Sequence, residues 1–116
     1  MKASVNSPVL YETVWVGDAL MTIEVSDAAR AIIWERGGDL YVWATVHGCF
    51  RGRLWLLKAD TSRPPDESLR FERAAAGGFD VFLDLKGWPV PERLVLEVHG
   101  RRKKIMAYWN DRAYVF

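Results

Sequence analysis

The residues with the clearest capacity for chemistry are a cysteine and a histidine two positions apart. Cys49 follows Gly48 and is the single cysteine of the chain, and a thiolate in such a loop is accessible to iron or to an oxidant. His47 lies two positions earlier, which in an extended segment puts both side chains on one side. A two-iron cluster needs four protein ligands, so a symmetric dimer could hold one with two histidines and two cysteines.

In the alternative, which we favour, Cys49 and His47 bind no metal. Cys49 is then a small, partly buried apolar residue, and His47 is solvated. A lone cysteine forms no internal disulfide and cannot by itself build a structural zinc site. We therefore expect no firmly bound cofactor, with iron or an iron-sulfur cluster at Cys49 and His47 as the hypothesis to test.

A second candidate is a set of basic residues near two tryptophans. Arg51, Arg53 and the run 101–104 could hold single-stranded nucleic acid by charge, with Trp55 or Trp109 stacking on bases. The formal net charge is only +1, and no nucleic-acid-binding motif is present. We expect solvated hairpin tips and no nucleic-acid partner.

The acidic residues and the second histidine do not form a catalytic arrangement. Asp80 and Asp84 share a strand face but lie about 13 Å apart at roughly 3.3 Å per residue, too far for a paired-carboxylate hydrolase, and we expect them to face solvent. His99 precedes a glycine in a turn and is expected to be exposed. No nucleophile signature or phosphate-binding glycine loop is present. We expect no catalytic residues and no enzymatic activity.

Six tryptophans are the last unusual feature. They could line a cavity for an apolar ligand, anchor an interface, or fill a small β core. We expect Trp43 and Trp55 in the core, because they lie in the strands that flank the Cys49 loop. Trp88, between Gly87 and Pro89, is the candidate for a homodimer contact.

Nearly all of these residues lie in or next to segments that the sequence predicts to be strands. Ser26 is a helix N-cap, and helical spacing follows it until Gly37 and Gly38. Residues 47–52 form the loop that carries Cys49. Alternating or β-branched patterns predict strands over 9–16, 20–25, 39–46, 54–58, 68–73, 79–85, 94–98, 105–109 and 112–116.

Composition favours one globular domain over residues 1–116. Half of the residues are hydrophobic, 27% are charged and 13% are aromatic, unlike a disordered chain. No apolar run approaches the roughly 20 residues of a membrane helix, and the N-terminus has no secretory signal pattern. We expect a cytoplasmic protein without membrane contact.

Three segments in this order resemble the HesB/IscA-like family of A-type iron-sulfur carriers. They are Ile23-Glu24-Val25-Ser26-Asp27-Ala28-Ala29, Leu40 to Gly52 with Gly48-Cys49 at its centre, and Asp66 to Glu72 followed by Gly77 to Asp84. The resemblance covers residues 20–85. It implies a mainly β (α+β) fold, a β-sandwich or pseudo-barrel with one short helix.

The departures from the family concern function. Its carriers have Cys-Gly-Cys near the C-terminus, whereas Met106-Ala107-Tyr108-Trp109-Asn110-Asp111 stands there in this chain. Residues 1–19 add an N-terminal strand. The sequence therefore predicts a divergent HesB/IscA-like protein, related to iron-sulfur cluster assembly, that has lost cluster carriage and acts as a non-enzymatic interaction module with a protein partner or as a homodimer. The alternatives are a residual iron or [2Fe-2S] binder through Cys49 with His47, and a small β-barrel for apolar ligands.

Overall fold

The computed structural model describes residues 9–49, 52–76, 78–110 and 114–115, without the side chains of Val9, His47, Cys49, Ala76, Tyr114 and Val115. The elements of these residues are, in chain order, β1 (Val9–Val16), β2 (Ala19–Ser26), α1 (Asp27–Glu35), β3 (Asp39–Cys49), β4 (Gly52–Asp60), β5 (Glu72–Ala76), β6 (Phe79–Asp84), β7 (Arg93–His99), β8 (Lys104–Trp109) and β9 (Tyr114–Val115). The expected mainly β fold with one short helix is confirmed.

The strands form two mixed sheets. A four-stranded sheet has the order β1-β2-β7-β8, with β2 and β7 parallel, and a five-stranded sheet has the order β5-β6-β3-β4-β9, with β3 and β6 parallel. Strand β1 lies against β5 at one side, and β8 lies against β4 at the other. The described strands thus make a sandwich with two seams and no closed barrel. The closed barrel expected in the apolar-ligand alternative is therefore not the observed fold of these residues.

Aliphatic side chains fill the space between the two sheets. Every second residue of each strand points inward, as the two-residue period of a strand requires. The largest fully buried side chains are Met21, Ile23, Val25, Ile33, Leu40, Val42, Val81, Leu94 and Leu96, with Pro91 beside them. Burying one such aliphatic side chain contributes roughly 1.5–3 kcal/mol, so this cluster stabilises the sandwich.

The helix covers part of this core and is delimited by the residues that the sequence indicates. Ser26 Oγ accepts a hydrogen bond from Ala29 N at 3.1 Å, which is the expected N-cap contact. Ala29, Ile32 and Ile33 are buried. At the other end Gly38, with φ of 89°, donates its N–H to Ile33 O at 2.8 Å, a left-handed conformation that favours glycine.

The loop expected around Cys49 belongs to a hairpin instead. Strand β3 does not stop at residue 46 but continues to Cys49, and its last residues pair with β4, His47 opposite Leu54 and Cys49 opposite Gly52. Gly48 does not break the strand, because the ladder with β4 continues on both sides of it.

The strand predicted over 68–73 begins later in the structure, at Glu72. The chain first turns at Asp66, whose Oδ1 accepts hydrogen bonds from Ser68 N at 2.9 Å and Ser68 Oγ at 2.7 Å. These two bonds also lower the pKa of the Asp66 carboxyl. Strand β5 therefore begins only at Glu72. Of the last predicted strand, over 112–116, only 114–115 lie within the described residues.

Candidate interaction surface

The predicted metal ligands fall largely outside what the structure describes. The backbones of His47 and Cys49 lie in β3 at the end of the β3–β4 hairpin, and their side chains are outside the described residues, as is Arg51. Among the side chains that are described, no three of the types His, Cys, Asp and Glu converge on a point that could hold a metal ion. Iron binding by Cys49 and His47 stays a prediction.

The two aspartates of β6 have structural partners. Asp80 forms an ion pair with Arg73, with 3.0 Å between Oδ1 and Nη2. Asp84 was expected to face solvent, but its side chain is only 12% exposed. Its Oδ2 accepts a hydrogen bond from Arg70 N at 2.7 Å, and its Oδ1 accepts one from Lys86 N at 2.9 Å. Asp84 thereby holds the start of β5 against the end of β6.

All six tryptophans lie at the periphery of the aliphatic core. Trp43, expected inside, is half-buried because it lies on the opposite face of β3 from the inward-pointing Val42 and Ala44. Trp55, also expected inside, shares the inward face of β4 with Leu57 but is likewise only half-buried. Trp88, the expected interface residue, is half-buried as well; it packs against the core and against Trp55, with 6.0 Å between ring centroids. The two exposed tryptophans are Trp15 at 62% and Trp34 at 60%.

Three of the large apolar side chains that are exposed among the described residues, Tyr11, Trp15 and Leu20, lie on the outer side of the four-stranded sheet. Val14 and Val16 point inward, so Tyr11 and Trp15 of β1 point outward, and the register places them beside Glu24 and Leu20 of β2. We call this surface the outer face. It comprises Tyr11, Thr13, Trp15, Leu20, Thr22, Glu24, Arg93, Val95, Glu97, His99, Lys104, Met106 and Tyr108.

An ion pair lies in a groove on this face. Glu24 Oε2 lies 2.6 Å from Arg93 Nε, and the Glu24 side chain is only 14% exposed. The groove has a volume of about 580 Å³ and is lined by Tyr11, Thr22, Glu24, Glu92, Arg93 and Asn110. Asn110 fixes one end of it, because its Oδ1 accepts a hydrogen bond from Arg93 N at 2.9 Å.

A cluster of three titratable side chains occupies the other part of the outer face. His99 Nε2 lies 3.0 Å from Glu97 Oε1 and 3.0 Å from the Tyr108 hydroxyl. Burial, and secondarily the negative charge of Glu97, raise the pKa of Tyr108. Sequence reasoning treated His99 as an exposed turn residue and missed these contacts, although residues 97 and 99 share one face of a strand.

The two ends of the outer face carry opposite charges. Because β2 and β7 are parallel, the β1–β2 turn with Asp18 and the start of β7 with Glu92 lie at one end. Arg93, at the same end, is paired with Glu24. The β7–β8 turn, residues 100–103, and the adjoining Lys104 form the basic end, about 20 Å away at roughly 3.3 Å per residue.

The basic residues considered for nucleic acid do not form one patch. Ala59 of β4 lies in the same groove as Arg102 and Lys104. Arg53 is six residues earlier in β4, which is about 20 Å along an extended strand. The basic turn and the β3–β4 hairpin thus lie at opposite ends of the sandwich.

Comparisons with models of protein families, with curated proteins and with solved structures found no match to this chain. No helix with the length and hydropathy needed to cross a membrane occurs in the part of the chain that the structure describes.

Proposed function

We propose that this protein is a non-enzymatic interaction module that binds a second copy of itself through the outer face. The observation that carries the proposal is the exposure of three large apolar side chains on one sheet face: Tyr11 at 63%, Trp15 at 62% and Leu20 at 53%. Aromatic residues that are exposed together on one surface are typical anchors of protein interfaces.

The charge distribution favours a second copy as the occupant. In a two-fold dimer with the outer faces in contact and the strands antiparallel, the basic end of one copy meets Asp18 and Glu92 of the other. The Glu24–Arg93 pair, at the same end as Asp18 and Glu92, is already neutralised within each copy. The same surface therefore complements itself in both apolar character and charge.

The size of the face sets the expected affinity. Four strands at about 4.8 Å spacing and about seven residues of length give a flat area of roughly 400 Å² per copy. The two copies together approach the roughly 1,000 Å² at which specific interfaces begin. We therefore expect a reversible dimer with a dissociation constant in the micromolar range rather than an obligate one.

We propose a role without catalysis because the described side chains that come closest to a catalytic arrangement lie on an open surface. Glu97, His99 and Tyr108 are the described side chains closest to a catalytic arrangement. The side chains of His99 and Glu97 are 52% and 49% exposed on an open sheet face, where water weakens their contacts. None of these three side chains lines the groove of about 580 Å³ on the same face.

As part of the same proposal we retain descent from HesB/IscA-like carriers with loss of cluster carriage, and a cytoplasmic location. The order of strand, Ser26-capped helix and β3–β4 hairpin with Cys49 supports it. Iron binding by Cys49 with His47 is the alternative. Iron and sulfide analysis of protein purified without oxygen distinguishes the two, because stoichiometric metal lost in Cys49→Ser would restore the carrier role.

Sedimentation equilibrium over a range of protein concentrations tests the dimer. We expect the wild-type mass to rise from monomer to dimer in the micromolar range, and Trp15→Ser to shift this transition at least tenfold upward. Trp34→Ser is the matched control, since this tryptophan is equally exposed but lies on α1. A monomeric wild type at high concentration, or a larger effect of Trp34→Ser, would contradict the proposal.

A further inference from the structure

The seam between β4 and β8 contains a groove whose floor takes no part in the proposed dimer, although Lys104 and Met106 on its walls also belong to the outer face. We call it the seam groove. Its floor consists of inward-pointing residues that are almost fully buried, namely Leu57 at 6%, Ala59 at 8%, Ile105 at 3% and Ala107 at 2% exposure. Leu56, Lys58, Lys104 and Met106 form its walls, and its volume is about 130 Å³. The groove is therefore apolar along its length.

One end of the seam groove opens into a basic mouth. A second cavity, of about 250 Å³, is lined by Arg36, Asp60, Thr61 and Arg102, and it shares Ala59, Lys104 and Ile105 with the seam groove. The two spaces therefore adjoin at these three residues. Arg36 follows α1, Arg102 belongs to the β7–β8 turn, and Asp60 ends β4, so three separate elements build the mouth.

The positive charge of the mouth is not neutralised by the residues around it. Within the described part of the chain Arg36, Arg102, Lys104 and the nearby Lys58 form no ion pair. Asp60 is the one acidic residue that lines the mouth, and its Oδ1 already accepts a hydrogen bond from Ser62 N at 3.1 Å. Guanidinium groups bind phosphate and carboxylate with paired N–H donors, so the mouth suits an anionic group.

We propose that the seam groove binds a small anionic amphiphile. Its phosphate or carboxylate lies between Arg36, Arg102 and Lys104, and its apolar chain extends along the floor toward Ala107. The distance from Lys104 to Ala107 along β8 is about 10 Å at roughly 3.3 Å per residue, the length of a chain of about eight carbons. The two cavities, of about 130 and 250 Å³, together lie near the lower limit of the roughly 300–1,000 Å³ of small-molecule pockets, which fits a small occupant.

Titration calorimetry with a set of simple probes tests the proposal on the full chain. We expect octyl phosphate and octanoate to bind with one-to-one stoichiometry, and inorganic phosphate, butyl phosphate and octanol each to bind at least tenfold more weakly. In amide NMR spectra, octyl phosphate should shift the signals of Ala59, Lys104 and Ala107. Inorganic phosphate that binds as tightly as octyl phosphate would overturn the role of the apolar floor.

A pair of variants with the same charge change locates the site. Arg102→Gln lies in an exposed turn and should weaken octyl phosphate at least tenfold, whereas Arg53→Gln, at the distant end of β4, should change the affinity less than twofold. Equal effects of both variants would show attraction by overall charge and contradict a built site. Binding only to vesicles of anionic phospholipid, or only to an acidic peptide, would also overturn the proposal. Because Arg102 and Lys104 also lie at the basic end of the outer face, the same titration on Trp15→Ser, which weakens the dimer and leaves the mouth intact, separates failure of this proposal from failure of the dimer.

Discussion

At the scale of one residue, the pKa of the Tyr108 phenol reflects its surroundings on the outer face. Its hydroxyl lies 3.0 Å from His99 Nε2, and Glu97 lies on the other side of the same imidazole nitrogen. Burial is the larger cause and the charge of Glu97 the smaller cause of its raised pKa. Both favour the neutral phenol in the folded state.

The raised pKa predicts how stability depends on high pH. A folded-state pKa above the ordinary value of about 10 means that the contribution of Tyr108 is intact below that pH and is lost as pH rises through the folded-state pKa. Urea unfolding curves recorded on both sides of pH 10 measure this loss of stability. We expect the loss to be missing in Tyr108→Phe. We expect Glu97→Gln to remove only part of the increase in the Tyr108 pKa. A wild-type curve that parallels Tyr108→Phe over this range would contradict the assignment.

At the scale of an element, the helix depends on its cap and its buried face together. Nine residues are too few for a helix that is stable alone, so α1 exists because Ile32 and Ile33 pack into the core. Ser26 supplies an acceptor for the free N–H of Ala29. The sequence signal and the contact agree here, because capping is local and needs no knowledge of the fold.

The cap and the buried face make separable contributions to stability. We expect Ser26→Ala to lower the free energy of unfolding by about 1 kcal/mol, and Ile33→Ala to lower it by about 2–5 kcal/mol through the cavity it leaves. Chemical denaturation at low protein concentration measures both. Ser62→Ala is the matched control in an exposed loop, where we expect a change within about 0.5 kcal/mol. A Ser26→Ala variant as stable as this control would contradict the capping role.

The strands show which parts of the fold could be predicted from the sequence. Strands β1, β2, β6, β7 and β8 were predicted nearly at their bounds, because β2, β6 and β7 alternate between apolar and other residues and β1 and β8 are rich in β-branched or aromatic residues. The end of β3 and the start of β5 depend on long-range pairing and on the turn at Asp66, which periodicity does not report. Trp43 was placed wrongly because both faces of this central strand are apolar, so its pattern does not indicate which face points inward.

At the scale of the whole molecule, the candidate surfaces arise from the way the two sheets meet. Aliphatic residues fill most inward positions, and none of the six tryptophans, all of which the structure describes, is fully buried. The outer face could have been predicted in part from β1. Tyr11 and Trp15 lie on one face of this strand and the equally apolar Val14 and Val16 lie on the other, so one apolar face has to point outward. The seam groove could not be predicted, because its floor and its basic mouth come from elements far apart in the sequence.

Protection of the Trp15 indole on self-association tests the central claim most directly. The indole N–H signals of Trp15 and Trp34, assigned by substitution, are followed by NMR with a soluble paramagnetic agent at rising protein concentration. We predict that the Trp15 indole becomes protected from the paramagnetic agent as the dimer forms, while the Trp34 indole on α1 stays accessible. Continued accessibility of Trp15 in protein that is shown to be dimeric, or protection of Trp34 instead, would contradict the outer face as the interface.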